Sequence, residues 1–336
     1  MPPTQTDSRT SARRQQKQTT RDTVLHHAPP VKLNARPVSR LSLSRRRAVM
    51  GMAVAGVAAL GGTGCTFAPD TDHTDDEAPK AVALLRKPRI AWVFSSGGPR
   101  GFVHVGVLKA LAELGVKPDL VVGASAGALV AVMYACGRSV QDIERLALDV
   151  QPAALARWAL GSPERISGAA IASLVNREVN GALLEQLRLP AVCVATRRKD
   201  HQLIGFNAGD PGIAVQASCA IEGQFSPVRI RGEQYVDPDH HQPLPVRLAR
   251  QLGADKILAI DASAHEDKAP AGTERYRAGD LRKRALTQPD VLAATLTLHP
   301  EFGYYVNLSR EFRERAIAAG YQTTLRAADK IALLHA

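Results

Sequence analysis

Aromatic residues are scarce in this chain: Phe, Trp and Tyr make up 4% of its 336 residues. Hydrophobic residues reach 45%, enough for a full core, but one built mainly from Ala, Val and Leu. Cysteine is scarce too. The four thiols, Cys65, Cys136, Cys193 and Cys219, show no CxxC pair and no Cys/His ligand spacing, which argues against a zinc site. Cys136, Cys193 and Cys219 lie among apolar or small residues and read as small buried hydrophobes. The net charge of +11 at first suggests nucleic acid. However, eleven of the 43 Lys/Arg and only two of the 32 Asp/Glu fall in residues 1–47, leaving 32 basic and 30 acidic residues over the other 289. The folded part is therefore nearly neutral, no RNA- or DNA-binding motif follows the tail, and no nucleic-acid partner is expected.

The first 47 residues are rich in Arg, Gln, Thr and Ser and poor in apolar residues, the composition of a disordered basic tail. Arg45-Arg46-Arg47 then leads into an apolar stretch from Ala48 to Leu60. This stretch is too short to span a bilayer but suits the core of an export signal. It ends in Gly61-Gly62-Thr63-Gly64-Cys65, small residues before a cysteine. That ending resembles the lipobox of bacterial lipoproteins, with Gly62 where a larger aliphatic residue is usual. The arginines resemble a twin-arginine signal. The resemblance implies that residues 48–65 are a signal segment and that Cys65 is lipidated. The protein would then be exported and held as a lipoprotein on the periplasmic side of a membrane, the outer membrane being the expected one. Residues 66–88, with Pro69, Pro79, Pro88 and an acidic cluster from Asp70 to Glu77, read as a flexible tether.

Residues 89–336 read as the catalytic domain. Ile90-Ala91-Trp92-Val93-Phe94 predicts a buried first strand, running into the loop Ser95-Ser96-Gly97-Gly98-Pro99-Arg100-Gly101. A helix from Val103 to Leu114 follows, closed by Gly115. A glycine-rich strand-to-helix loop offers several backbone N–H groups for a phosphate or an oxyanion. No Gly-Lys-Ser/Thr follows, so it is not a P-loop, and the spacing does not fit a dinucleotide fingerprint. Next, the apolar end of Val116 to Val122 predicts a strand, and Ala128 to Cys136 a helix. Between them stands Gly123-Ala124-Ser125-Ala126-Gly127. A serine on such a turn is strained and exposed to substrate, its small neighbours admit close backbone, and the helix N-terminus lends partial positive charge. These are the conditions for an acyl-transfer nucleophile.

The glycine loop ending in Arg100-Gly101, the helix, the strand and the serine elbow together resemble the patatin-like phospholipase family. Ala217 to Ile221, Phe225 to Val228, and Tyr235-Val236-Asp237 extend the resemblance through about residue 262. It implies an α/β fold of three α/β/α layers with a mostly parallel central sheet. It also implies a serine acylhydrolase acting on ester bonds of (phospho)lipids through a Ser–Asp dyad, with no cofactor. Ser125 would be the nucleophile and Asp237 the base. Gly123 and Gly127 would shape the elbow. The loop of Ser96, Gly97, Gly98, Arg100 and Gly101 would form the oxyanion hole, with Arg100 positioning the loop or neutralising charge.

The chain departs from the family pattern twice. Ser96 stands where the first of three glycines is usual. Asp237 is followed by Pro238-Asp239-His240-His241 rather than by two small residues. Pro238 restricts Asp237 to extended backbone and removes a donor beside it, and Asp239 adds a like charge. Three readings stay open: an active Ser125–Asp237 dyad; a Ser-His-Asp esterase using His240 or His241; and a catalytically weak lipid-binding lipoprotein. No third ligand stands at metal spacing from the histidine pair, so no metal is expected, and His104 reads as a packing residue. Residues 138–186 carry helical patterns, including Ala154 to Leu160, either bordering the lipid groove or forming plain outer-layer helix. Ala191 to Thr196 and Lys256 to Asp261 predict further central strands. His265 to Gln288 reads as a mobile polar loop, and the chain closes with helices over 308–319 and from Tyr321 or Thr323 to Leu334.

Overall fold

The computed structural model describes residues 71–155, 157, 158, 166–264 and 269–336. The basic tail, the signal segment and Cys65 lie outside the described residues. Strands in chain order are β1 (Asp72–His73), β2 (Ile90–Phe94), β3 (Leu120–Ala124), β4 (Arg157–Trp158), β5 (Ile166–Ser167) and β6 (Ala191–Arg197). β7 (Leu203–Phe206), β8 (Val228–Ile230), β9 (Glu233–Val236), β10 (Lys256–Ile260) and β11 (Leu296–Leu298) follow. Helices are α1 (Val103–Glu113), α2 (Ala126–Ala135), α3 (Val140–Asp149), α4 (Ala169–Glu178) and α5 (Pro211–Ser218). Then come α6 (Val246–Gln251), α7 (Arg277–Ala293), α8 (Arg310–Arg326) and α9 (Ala328–His335).

Nine strands form one sheet in the order β1-β8-β9-β6-β3-β2-β10-β11, with β7 on β6. The run β6-β3-β2-β10-β11 is parallel, and β7, β8 and β9 add antiparallel pairs. Successive strand residues point to opposite faces, and β2 shows the consequence. Ile90, Trp92 and Phe94 join a cluster with α1, α2, α4, α5 and α8, whereas Ala91 and Val93 join Leu244, Val246 and Ala249 around α6. Both faces are covered, which is why β2 and β3 are apolar throughout rather than alternating. The expected three-layer α/β fold with a mostly parallel sheet is present. Because β2, β3 and β10 run in parallel, Ser95, Ser125 and Asp261 all emerge at one end of the sheet.

The expected tether is different. Over its described part it is docked: β1 pairs in parallel with β8, and Ala78 is fully buried. Lys80 N–H donates to Ala208 O at 3.0 Å, and the Asn207 amide brackets Val82 at 2.8 and 2.9 Å. These partners stand more than a hundred residues away, where no local composition can reveal them. β1 also pairs the edge of β8, which would otherwise be an open template.

The expected polar loop over 265–288 is likewise corrected. Its later part is the start of α7, which continues to Ala293 with Pro289 inside it. Few of its residues are apolar, so the periodicity that marks a helix is weak. It is held instead by polar contacts, with buried Asp290 accepting from Arg247 N at 2.8 Å and Gln242 Nε2 at 2.8 Å. Where residues 154–160 are described, they hold the end of a 3-10 turn, Pro152–Leu155, and β4 rather than the expected helix. α8 continues through Tyr321 to Arg326. Its Arg313 is buried and donates to the carbonyls of Ala147, Leu148 and Val150, capping the end of α3.

Candidate active site

The elbow forms where β3 passes into α2. Ser125 has φ 54° and ψ −122°, a conformation L-residues rarely adopt. It is held there by a relay: Ser125 N–H donates to Ser218 Oγ at 2.8 Å, and Ser218 Oγ donates to Val194 O at 2.6 Å. The flanking glycines are sterically required. A Cβ on Gly123 would lie 2.3 Å from Gly127 O, and one on Gly127 would lie 2.4 Å from Phe94 O. Both obstacles are backbone, so no side chain can yield.

Beside the elbow, the glycine loop is pinned by its serines. Ser95 Oγ donates to Ser96 O at 2.8 Å and accepts from Ala262 N at 2.9 Å. Ser96 N–H donates to Pro243 O at 2.8 Å, and Arg100 N–H donates to Gly97 O at 2.9 Å. Neither is therefore free to meet an oxyanion, and Pro99 has no N–H. Of the five residues expected to form an oxyanion hole, Gly97, Gly98 and Arg100 line the cavity, and the N–H groups of Gly97 and Gly98 make no such backbone bond among the described residues. Gly98 has φ +49°, the left-handed region that glycine enters freely. Gly101 serves packing, since a Cβ there would lie 2.5 Å from Ala126 Cβ. Buried Arg100 donates through Nε to Ala262 O at 2.8 Å and through Nη1 to Gly303 O at 3.3 Å, and it lies 4.5 Å from the Phe302 ring centroid. It positions the loop rather than lending a donor to it.

Asp237 directly follows β9 and is 3% exposed. Its ψ of 134° is the extended backbone that Pro238 imposes. The donor lost to the proline is replaced one residue on, where Asp239 N–H donates to Asp237 Oδ1 at 2.9 Å. Oδ2 is buried without a closed hydrogen bond, yet the Ser125 hydroxyl is near enough to pull the carboxyl's pKa downward. Ser125 thus lies beside the Asp237 carboxyl without a closed hydrogen bond to its Oδ2. Burial first, and the charge of Asp239 second, push the Asp237 pKa up to about 7, against Ser125, the Asp239 N–H and Lys283.

The sequence singled out Asp239 as a like charge but missed its partner. Lys283 of α7 forms an ion pair with Asp239 and donates to Ser96 Oγ at 3.1 Å, while Ser96 Oγ donates to Asp239 Oδ1. Burial raises the Asp239 pKa, but the Lys283 charge and the hydrogen bonds from Lys283 and Ser96 outweigh it and leave it below the ordinary value. Only a helical reading of residues 277–293, which puts Gly279, Lys283 and Leu286 on one face, could have signalled this.

His240 is exposed at the cavity rim. His241 stacks on His201 at 4.5 Å and faces Glu222 at 3.7 Å, and burial followed by the His201 charge lowers its pKa. His104 is fully buried, its Nε2 2.9 Å from Ser95 O, and burial pushes its pKa down to about 4. It packs edge-on against Phe94. No group of three or more metal-ligating side chains occurs among the described residues. Cys193 is buried, with its pKa pushed up to about 12, and partly buried Cys219 sits beside Ser125 and Asp237, its thiol pKa raised chiefly by burial.

Ser125, Asp237, Gly97 and Gly98 line one cavity of about 500 Å³. Its apolar side is Ile221, Ala262, Ala264 and Leu286, and its rim carries Arg282 and Lys283. Among the described residues, the helices over 138–186 do not line it, which favours the outer-layer alternative; α7 lines it instead.

A strained serine, a buried carboxyl and two glycine amides come together at one end of a doubly covered sheet. Residues 92–249 match the family described as patatin-like phospholipase. An uncharacterized NTE family protein of Mycobacterium tuberculosis is 29% identical over 194 residues, which is 56% of this chain and 54% of the relative. The human patatin-like phospholipase domain-containing protein 6 is 30% identical over 198 residues, 56% of this chain and 14% of the relative. Lysophospholipase NTE1 of Coccidioides immitis is 29% identical over 189 residues, 54% of this chain and 12% of the relative. The chain thus spans about half the length of the mycobacterial relative and a much smaller share of the other two. The solved structure of VipD from Legionella pneumophila aligns over 76% of this chain and 70% of its own, with 14% identity and a TM-score of 0.47.

Proposed function

We propose that this protein hydrolyses ester bonds of (phospho)lipids through a Ser125–Asp237 dyad. One observation carries the reading: a strained Ser125 lies beside a buried carboxyl poised near neutral pH, inside one cavity that two glycine amides also line. Asp237 takes the Ser125 proton as Oγ attacks the ester carbonyl. Gly97 and Gly98 N–H groups meet the developing oxyanion, each such donor being worth about 10²–10³ in rate. Collapse of the tetrahedral adduct expels the alcohol, which takes the proton back from Asp237. Water, deprotonated by the same carboxylate, then frees the fatty acid. Ile221, Ala262, Ala264 and Leu286 offer an apolar wall for an acyl chain. The relatives named phospholipase and lysophospholipase support a lipid ester as the substrate class.

The test is fluorophosphonate labelling of the folded protein. Ser125 should be the modified residue, Ser125→Ala should take no label, and Asp237→Asn should suppress labelling while His240→Ala and His241→Ala retain it. Absence of label on Ser125 would overturn the hydrolase reading, and loss of label in a histidine variant alone would replace the dyad by a triad.

On the sequence grounds given above, we also propose export and lipidation at Cys65, which would hold the domain on the periplasmic side of a membrane close to its substrate. Radiolabelled palmitate should enter the wild-type protein and not Cys65→Ser; equal labelling of the two would overturn this.

A further inference from the structure

Ser96 and Asp239, each lying where the chain departs from the family pattern, meet each other in the folded protein. Ser96 Oγ donates to Asp239 Oδ1, and Lys283 reaches both from α7. The cluster is largely shielded, with the Lys283 and Asp239 side chains 18% and 30% exposed. Asp239 and Lys283 line the cavity, and Ser96 lies directly before two residues that do. Ser96 precedes the two amides of the oxyanion loop, Asp239 gives its N–H to the Asp237 carboxylate, and Lys283 stands between Gly279 and Leu286, two other residues of the wall. α7 itself is fixed on either side of Lys283, by the Tyr304 hydroxyl on Asp280 and by Arg247 and Gln242 on Asp290. A lysine in that position is aimed, not adrift.

We infer that Lys283 is a positioning residue for the proposed Ser125–Asp237 reaction, clasping Asp239 and Ser96 so that the oxyanion loop and the loop carrying Asp237 are locked to each other and to α7. The inference rests on the hydrolase reading. The clasp explains how Ser96 is accommodated in a loop that elsewhere carries glycine: its hydroxyl has a fixed partner, and its N–H is bound to Pro243 O. It also explains how two aspartates two residues apart coexist, because the Lys283 charge compensates the second.

The charged and titratable groups facing Asp237 are Asp239 on its own loop, Lys283 from α7, the Ser125 hydroxyl from the elbow and the Cys219 thiol from the end of α5. Removing either member of the ion pair therefore moves the Asp237 titration, in opposite directions. Lys283→Met withdraws a cation and leaves Asp239. Asp239 is the more exposed carboxyl and still ionises first, so Asp237 gives up its proton only at higher pH. Asp239→Asn withdraws the like charge but keeps the backbone N–H and a side-chain oxygen, so Asp237 ionises at lower pH.

The experiment is the rate of fluorophosphonate modification of Ser125 against pH, on the full chain. Lys283→Met should slow labelling near pH 7 by about ten- to a hundredfold and move the acidic limb up by about one pH unit. Asp239→Asn should move the limb down by a similar amount, and Lys283→Arg should stay near wild type in both respects. Wild-type rates and limbs in all three variants would overturn the inference. So would losses of rate in Lys283→Met and Asp239→Asn with no movement of either limb, since a purely structural contact gives that pattern. If Lys283→Met does not fold, the Asp239→Asn and Lys283→Arg limbs decide the matter alone. A wild type that takes no label on Ser125 removes the hydrolase reading itself, whereas labelled wild type with unmoved variants removes only the clasp.

Discussion

Replacing Asp237 by Asn should remove activity and stabilise the fold. In the unfolded chain an aspartate titrates near its ordinary value of about 4; in the native state burial and Asp239 hold Asp237 at about 7. Between those values the native protein keeps a proton that the unfolded chain has released. Stability therefore falls as pH rises through this window and is flat above it. The difference of roughly three pH units, at about 1.36 kcal/mol each, gives a cost on the order of 4 kcal/mol for the ionised carboxylate at alkaline pH. Asparagine carries no charge and still offers an oxygen to Asp239 N–H. The variant should thus match wild type near pH 4 and exceed it by up to about 4 kcal/mol near pH 8.5. At roughly 3 °C per kcal/mol for a domain of this size, Tm should rise by on the order of 10 °C. Urea unfolding of both proteins at several pH values reads the difference directly. A gap that does not widen between about pH 4 and 7, or an Asn variant less stable than wild type at pH 8.5, would refute the reasoning.

The same titration sets the pH dependence of the reaction: kcat/KM should rise with pH through about 7 and level off above it, because the base acts ionised; a limb near pH 4 in a pH–rate series would contradict the burial of Asp237. Ser218→Ala strips the partner from Ser125 N–H and should cost about 1–3 kcal/mol in urea unfolding together with a slower reaction; an unchanged midpoint would show that the relay does not hold the elbow. Gly127→Ala places a methyl 2.4 Å from Phe94 O and should destabilise by about 3 kcal/mol or more, read as a fall in Tm or loss of soluble protein; a folded, equally stable variant would show that β2 can move.

What was legible in the sequence was local. Phe94 to Gly101 and Gly123 to Gly127 each carry their chemistry within a few residues, so the loop and the elbow are where they were expected. What failed was mostly relational. Ser96 looked like an oxyanion donor because its backbone N–H exists, but Pro243, remote in sequence, takes that N–H. The segment after residue 70 looked like a solvated spacer because its partners, β8 and Asn207, are remote in sequence. α7 looked like a loop because its stability comes from Asp290 with Arg247 and from Lys283 with Asp239, not from an apolar stripe. The proline after Asp237 looked damaging, yet the next residue's N–H replaces the missing donor.

By itself, then, the sequence determined the sheet's buried strands, the turn that strains Ser125 and the glycines that permit it, because hydrophobic runs and steric limits act on neighbours along the chain. Only the tertiary structure decided which loop amides are taken, how near neutrality Asp237 titrates and that Lys283 answers Asp239, because desolvation, charge pairing and backbone hydrogen bonds depend on groups that folding alone brings together.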